Sequence, residues 1–258
     1  MSQPTYGARA IVLRKTKLGE SDLIVTMLAE DGSQMRAVAK GARKPASSFA
    51  ARLELYSVAD ALLARGRSLD IVKEVRLVES NERLRRDIEH ASGAAPMAEL
   101  LDRVTQMGLE NPRLFALTRA ALASLGRVEA AQVPAVCAAH LLKTLAFAGL
   151  RPSLDVCVGC GRDVPVPAGS SEALVPLSYQ EGGVVCAACR PNVETILVPA
   201  STLAWCRALL GSTFVEIEAL EVDLSASFAV LRFCQQWVHE HVGSNLKSLN
   251  FLFTCGLF

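Results

Sequence analysis

The stretch AIVLRKTKLGESDLIVTMLAEDGSQMRAVAKGARK, from Ala10 to Lys44, decides the fold of the amino-terminal part of the chain. Its aliphatic runs, Ala8–Lys15, Leu23–Ala29 and Met35–Lys40, are short and bounded by turn chemistry at Leu18–Asp22 and at Asp31-Gly32, a strong hairpin signal. Further along, Leu55–Ala64 and Leu69–Leu77 repeat the pattern around a Gly66-Arg67-Ser68 turn. Five strands in about 80 residues predict a small barrel of the OB type, a closure that removes sheet edges. An SH3-like barrel satisfies the same pattern.

From Asn81 the period becomes helical, over Glu82–Ala91, Pro96–Met107, Pro112–Leu125 and Val133–Ala148. Pro96, Pro112 and Pro134 lie near helix starts, where a missing N–H costs nothing, and Gly93, Gly108, Gly126 and Gly149 lie near ends. Two more helices are predicted at Ser201–Leu210 and Ser225–His241. The nearly uncharged tail Ser244–Phe258, with Phe251, Phe253 and Phe258, is expected either to pack on the core or to offer an apolar partner surface.

Between these helical stretches, residues 151–198 turn rich in Pro, Gly and Cys. Cys157-Val158-Gly159-Cys160 and Cys186-Ala187-Ala188-Cys189 form two C-x-x-C pairs with 25 residues between them. Each pair can grip a metal from a tight turn, and Leu174–Ser178 with Gly182–Val185 supplies the short hairpin of a zinc ribbon. A four-cysteine shell leaves no open position for substrate, so the expected cofactor is one structural zinc. A dithiol redox pair and plain core cysteines are the competing readings. Cys137, Cys206, Cys234 and Cys255 have no partner spacing and read as core residues. The expected class is therefore α+β and multidomain: an OB-type barrel over residues 1–80, a helical domain in two parts over 81–150 and 199–258, and an embedded four-cysteine zinc ribbon over 151–198.

The 258 residues are 51% hydrophobic and carry 27 basic against 26 acidic groups, so no chain-wide charge drives the protein onto polyanions. Residues 1–80 are the exception, with 13 Lys and Arg against 9 Asp and Glu. Residues 35–52 hold Arg36, Lys40, Arg43, Lys44 and Arg52 and no acid, and Arg14, Lys15 and Lys17 form a second cluster. If about five phosphates are neutralised, the slope of log affinity against log salt for a single strand is roughly −3.5. Tyr6, Phe49 and Tyr56 are too few for a base-stacking platform. Backbone-dominated binding leaves base edges free, which suits bringing complementary strands together. An adaptor whose barrel binds protein, and an RNA-binding or transcription-associated zinc-ribbon factor, remain alternatives.

No Lys follows a Gly, so a phosphate-binding loop of the Gly-Lys-Ser/Thr kind is absent, and neither the dinucleotide fingerprint nor a G-x-S-x-G elbow occurs. His239-Glu240-His241 has the wrong spacing for a metalloprotease helix and reads as a solvated helix end. An enzyme is not expected. Met1–Lys17 interleaves charges with apolar residues rather than forming an export signal. Ala130–Leu150, which contains Pro134, His140 and Lys143, reads as a buried helix rather than a membrane span. The expected compartment is the cytoplasm, at the nucleoid, with no membrane partner.

Ala10-Ile11-Val12-Leu13, Gly19-Glu20-Ser21-Asp22, Ala39-Lys40-Gly41-Ala42-Arg43-Lys44, the Gly66-Arg67-x-Leu69 turn and the two cysteine pairs, in that order, resemble the bacterial DNA repair protein RecO family. The similarity covers most of the chain. It implies a non-catalytic recombination mediator that binds single- and double-stranded DNA, anneals strands coated by single-stranded DNA-binding protein, and with RecR helps to load RecA, RecF being a further partner. It carries the DNA-contact role onto Lys40, Arg43 and Lys44, and more loosely onto the neighbouring basic residues. It also implies binding of the acidic carboxy-terminal tail of single-stranded DNA-binding protein by the helical part, where Arg119 and Lys143 are candidate charge partners.

Overall fold

Alternating apolar residues in the first 80 positions form five strands that close on one another: β1 (Thr5–Leu18), β2 (Asp22–Ala29), β3 (Gln34–Ala39), β4 (Val58–Ala64) and β5 (Asp70–Glu79), in the order β1-β2-β3-β5-β4. All neighbours are antiparallel except β3 and β5, which run parallel through Ala37↔Asp70 and Val38↔Ile71. The computed structural model describes residues 4–165, 173–221 and 223–258. Of the two barrels left open by the pattern, the closed five-strand order is that of the OB type.

The first strand is longer than its apolar run. Its first half pairs with β4, from Thr5↔Ala64 to Ile11↔Val58, and its second half with β2, from Ala10↔Ala29 to Leu18↔Asp22. A register shift between Val12 and Arg14 lets one strand serve both partners, as bulges do at barrel corners. Val12, Val25, Met27, Leu53, Leu63 and Val72 are among the side chains that fill the interior. Leu53 belongs to the long connection between β3 and β4, so that connection plugs the barrel with its own apolar residues.

Asp31-Gly32 makes the β2–β3 hairpin. Gly32 has φ +81°, and a Cβ there would lie 1.8 Å from the carbonyl oxygen of Asn111, whose N–H donates to the Asp31 carbonyl at 2.8 Å. Only glycine lets the two backbones approach this closely.

Three helices follow: α1 (Arg83–Arg86), α2 (Ile88–Val104) and α3 (Pro112–Leu125). Here the structure corrects the punctuation read from prolines and glycines. Gly93 and Pro96 lie inside α2, both buried, and do not mark an end and a start. Burial of one face, including Met97, Leu100 and Leu101, outweighs the lost backbone hydrogen bond. Pro112 does occupy the first turn of α3. The barrel and these helices form one compact unit, Met1–Arg127, and Val128–Phe258 forms a second.

In the second unit α4 (Val133–Phe147) is buried along most of its length and packs with α5 (Ala200–Gly211) and α7 (Leu224–Val242). Residues 130–147 are long and apolar enough to cross a membrane by length and composition, and 67% of them are buried within the protein. The aromatic core of α7 centres on Trp237, 1% exposed, whose indole N–H donates to the Leu150 carbonyl at 2.9 Å. His239 and Glu240 are exposed, as expected of a solvated helix end, while His241 is half-buried with its ring tilted against Trp237, centroids 4.6 Å apart. A five-residue helix, α6 (Phe214–Glu218), starts at a Thr213–Glu216 capping box that the sequence reading missed. The tail forms α8 (Lys247–Thr254), with Leu249 and Leu252 buried and Phe253 and Phe258 against Phe228, while Phe251 is 52% exposed. The predicted ribbon hairpin is β6 (Leu174–Ser178) with β7 (Gly183–Val184), and an unpredicted third strand, β8 (Ile196–Pro199), adds to β6.

Two predictions follow from this packing. Gly32→Ala is expected to cost at least about 1 kcal/mol and lower the thermal midpoint by a few degrees; an unchanged midpoint would contradict the close contact with Asn111. Burial also holds the His140 imidazole down at about 3, so the folded protein keeps it neutral. The unfolded chain takes up this proton below pH about 6.5, so the contribution is complete above that value and is lost as pH falls from about 6.5 toward 3. Denaturant midpoints measured over that range should fall less steeply in His140→Leu than in the parent.

Candidate nucleic-acid interface and metal centre

The loop that follows β3 is held against the β1–β2 turn. The Gly41 N–H and the Ser21 hydroxyl both donate to Asp22 Oδ1, at 2.8 and 2.9 Å. These bonds, with Lys40 and Lys44 nearby, hold the Asp22 carboxyl below the usual carboxylate range. The Arg43 N–H donates to the Ser21 carbonyl at 2.9 Å, and its guanidinium donates to the carbonyls of Gly19 at 3.0 Å and Glu20 at 2.8 Å. Ala42 is buried in the barrel core. With Ala42 turned inward and Arg43 clipped to the neighbouring turn, Lys40 and Lys44 project from the rim, both exposed.

The remaining candidates divide by partner. Arg36 and Lys17 are exposed, and neither makes an ion pair among the described residues. Arg14 pairs with Asp102 of α2 at 3.1 Å, and Lys15 with Glu54 at 2.7 Å. Strand register puts Arg14 and Arg36 in one row across Thr26, whereas Lys15 and Lys17 lie on the other face of β1. Arg52 is apart from the loop: its guanidinium donates to the Val75 carbonyl at 3.2 Å in a groove of about 840 Å³ shared with Phe49, Lys73 and the Arg9–Asp60–Arg76 ion pairs. Thus Lys40, Arg43 and Lys44 share one loop, Arg36 and Lys17 lie on opposite faces of the sheet on β3 and β1, and Arg14, Lys15 and Arg52 are engaged within the protein. Arg65, Arg67 and Lys73 are exposed cations that the sequence reading passed over, because their nearness to β3 depends on the parallel β3–β5 pairing. Of the two basic residues considered for an acidic tail, Arg119 binds Glu79 and Lys143 donates to the Leu210 carbonyl at 2.7 Å.

The four ribbon cysteines do converge. Their sulfurs all lie within 4.8 Å of one another, and Cys160 and Cys186 Sγ are 3.7 Å apart. A tetrahedral ion with metal–sulfur bonds of roughly 2.3 Å requires sulfur–sulfur edges of about 3.8 Å. The Cys186 N–H donates to Cys157 Sγ at 3.3 Å, and the Gly159 and Cys160 N–H groups point to the same sulfur. The Arg162 guanidinium donates to Cys160 Sγ at 3.3 Å and draws that thiol down to about 6, while hydrogen bonding with Cys160 and Cys186 pushes Cys189 up to about 12. Four thiols this close cannot all ionise without a cation among them. The first knuckle sits close beneath the second, since a Cβ at Gly159 would meet Cys189 Cβ and Sγ at 3.1 Å. The two knuckles are joined by backbone: Ser153 N–H donates to the Gly182 carbonyl, Val184 N–H to the Ser153 carbonyl, and Val158 N–H to the Val184 carbonyl. The set fits a closed, four-coordinate metal ion.

Comparison with known proteins places both parts of the chain in one family. Residues 1–81 match the family model described as recombination protein O N terminal, and residues 85–250 match recombination protein O C terminal. The chain is 33% identical over 247 residues to the DNA repair protein RecO of Desulfitobacterium hafniense, covering 94% of this chain and 87% of that one. It is 37% identical over 212 residues to the DNA repair protein RecO of Cutibacterium acnes, covering 80% and 82%. With that of Bifidobacterium longum it shares 35% over 249 residues, covering 96% and 98%. A closed OB-type barrel with a basic rim, followed by helices and a four-cysteine cluster, thus belongs to a chain of the recombination protein O family of DNA repair proteins.

Proposed function

We propose that this chain is a non-catalytic recombination mediator that binds single- and double-stranded DNA, anneals complementary strands coated by single-stranded DNA-binding protein, and acts with RecR to load RecA. The observation that carries the proposal is the loop after β3: Ala42 anchors it in the barrel, Asp22 and Arg43 tie it to the β1–β2 turn, and the side chains of Lys40 and Lys44 are exposed with no hydrogen bond or salt bridge among the described residues. Two fixed cations meet phosphates and carry no base-reading geometry, so nucleobases stay available for pairing. Arg43 acts mainly by holding the loop, with its remaining donors turned to phosphate.

In this reading residues 1–80 are the DNA-binding module, 81–150 and 199–258 the helical domain that meets partners, and 151–198 a zinc ribbon. When bound, zinc supplies only cross-linking of Cys157, Cys160, Cys186 and Cys189, which fixes the ribbon against Ser153 and the β6–β7 turn. The acidic tail of single-stranded DNA-binding protein docks on the helical domain. Arg119 in the first unit would have to exchange its bond to Glu79 for a tail carboxylate, and Lys143 in the second its bond to the Leu210 carbonyl, so each is a separate candidate. RecF is a further partner, and the working compartment is the cytoplasm at the nucleoid.

Lys40→Ala/Lys44→Ala is expected to reduce the magnitude of the salt slope for single-stranded DNA by about 1.4, two phosphates at about 0.7 each, and to slow annealing of coated strands. Binding that survives high salt, or that RNA competes away preferentially, would favour a protein adaptor or an RNA-binding role. Elemental analysis should find one zinc per chain, reduced in Cys157→Ser. Chelation should also change the tryptophan fluorescence, because Leu150, which accepts the Trp237 indole N–H, leads through residues 151–156 into the first knuckle. Full stability without bound metal would exclude the structural role.

A further inference from the structure

We infer that the β4–β5 turn, residues 65–69, is a preorganised phosphate clamp in which Arg67 contacts the nucleic-acid backbone and Tyr6 and Asp70 are positioning residues. This rests on the nucleic-acid reading of the barrel and adds a contact point on a different loop.

The turn is braced from several sides. The Arg65 N–H donates to the Pro4 carbonyl at 3.2 Å, and the Arg65 guanidinium lies 4.8 Å above the Tyr6 ring, so Arg65 is committed to holding the turn. The Gly66 N–H donates to Asp70 Oδ1 at 3.0 Å, and the Tyr6 hydroxyl donates to Asp70 Oδ2. Burial and the Asp70 carboxylate push the Tyr6 hydroxyl up to about 12, so it stays a donor at neutral pH. A Cβ at position 66 would lie 1.8 Å from the Leu69 carbonyl oxygen, a closeness that only glycine permits.

Both oxygens of Asp70 are therefore occupied, and its charge is turned toward the base of the turn. Arg67, at the tip, is exposed and makes no hydrogen bond or ion pair among the described residues. A braced backbone presenting an unpaired guanidinium reduces the ordering cost of binding an anion. Guanidinium geometry also suits phosphate oxygens.

The location supports the same ligand. Because β5 runs parallel to β3 from Ala37↔Asp70, the residues before Asp70 lie toward Arg36, itself exposed and unpaired. From Arg36 to Lys40 is four residues of strand, roughly 13 Å. Arg67, Arg36 and Lys40 thus spread cations along β3, a track for a phosphate backbone rather than a pocket for a single anion.

Titrating labelled oligothymidylate by fluorescence anisotropy, between about 50 and 200 mM salt, tests the clamp. Arg67→Ala is expected to lower the magnitude of the slope by about 0.7, one single-strand phosphate, and Arg67→Lys to keep it. Tyr6→Phe is expected to weaken binding about two- to threefold at a temperature where it is fully folded, with its salt slope unchanged, and Tyr6→Phe/Arg67→Ala to bind no more weakly than Arg67→Ala alone. A parental slope in Arg67→Ala overturns the clamp, and additive losses in the double variant overturn the positioning role of Tyr6. If Lys40→Ala/Lys44→Ala lowers the slope while Arg67→Ala does not, the clamp alone fails. If neither does, the nucleic-acid reading fails with it.

Discussion

Two residue pairs, Ala37↔Asp70 and Val38↔Ile71, close the barrel. Without them β3 and β5 would each present an unpaired edge, open to pairing with other chains. Closure also sets what the rim displays. It brings the β4–β5 turn beside β3, and the long connection between β3 and β4 packs its apolar residues into the barrel core. That connection turns Ala42 and Leu53 into the core, both 3% exposed or less, which obliges Lys40 and Lys44 to face solvent. The cationic rim follows from packing as much as from charge: an apolar plug turns its polar neighbours outward.

The second unit solves a comparable problem with less apolar material. Its ribbon has one buried face, built from Val175, Leu177, Val184 and Val198, and a two-residue β7. A sheet this small gains little from burial alone. The Gly183–Ser153 backbone contact ties it to the chain before the first knuckle, with Gly183 allowing an approach that would put a Cβ 2.3 Å from the Ser153 carbonyl oxygen, and the four thiols converge beside it. The helical core beside it, by contrast, is mostly apolar, with His140 and Thr144 among its few buried polar groups, and keeps Cys137, Cys206 and Cys234 as inert thiols whose burial raises them far from ionisation.

Legibility in the sequence tracked how local each signal was. Asp31-Gly32 marked its hairpin because the turn needs φ above zero within two residues. The two C-x-x-C pairs marked their cluster because each knuckle is a self-contained turn. Gly93 and Pro96 misled because their usual meaning as helix boundaries was overridden by the packing of α2, a contact with residues distant in sequence. β8 and α8 were missed because four- and eight-residue elements carry too few periods to register, and their stability comes from β6 and from the phenylalanines around Phe228. The basic strip in residues 35–52 was visible as composition, but composition could not separate Lys40, which is free, from Arg52, which is bound to the Val75 carbonyl.

Sequence alone determined the barrel, its five strands, the helical remainder and the four converging cysteines, since periodicity, turn chemistry and C-x-x-C spacing are written over a few adjacent residues. Tertiary structure decided which cations stand free, through ion pairs such as Arg14–Asp102 and Lys15–Glu54 that join residues 88 and 39 positions apart. It also decided that the β4–β5 turn lies beside β3, because parallel pairing depends on chain closure and leaves no mark on either strand by itself.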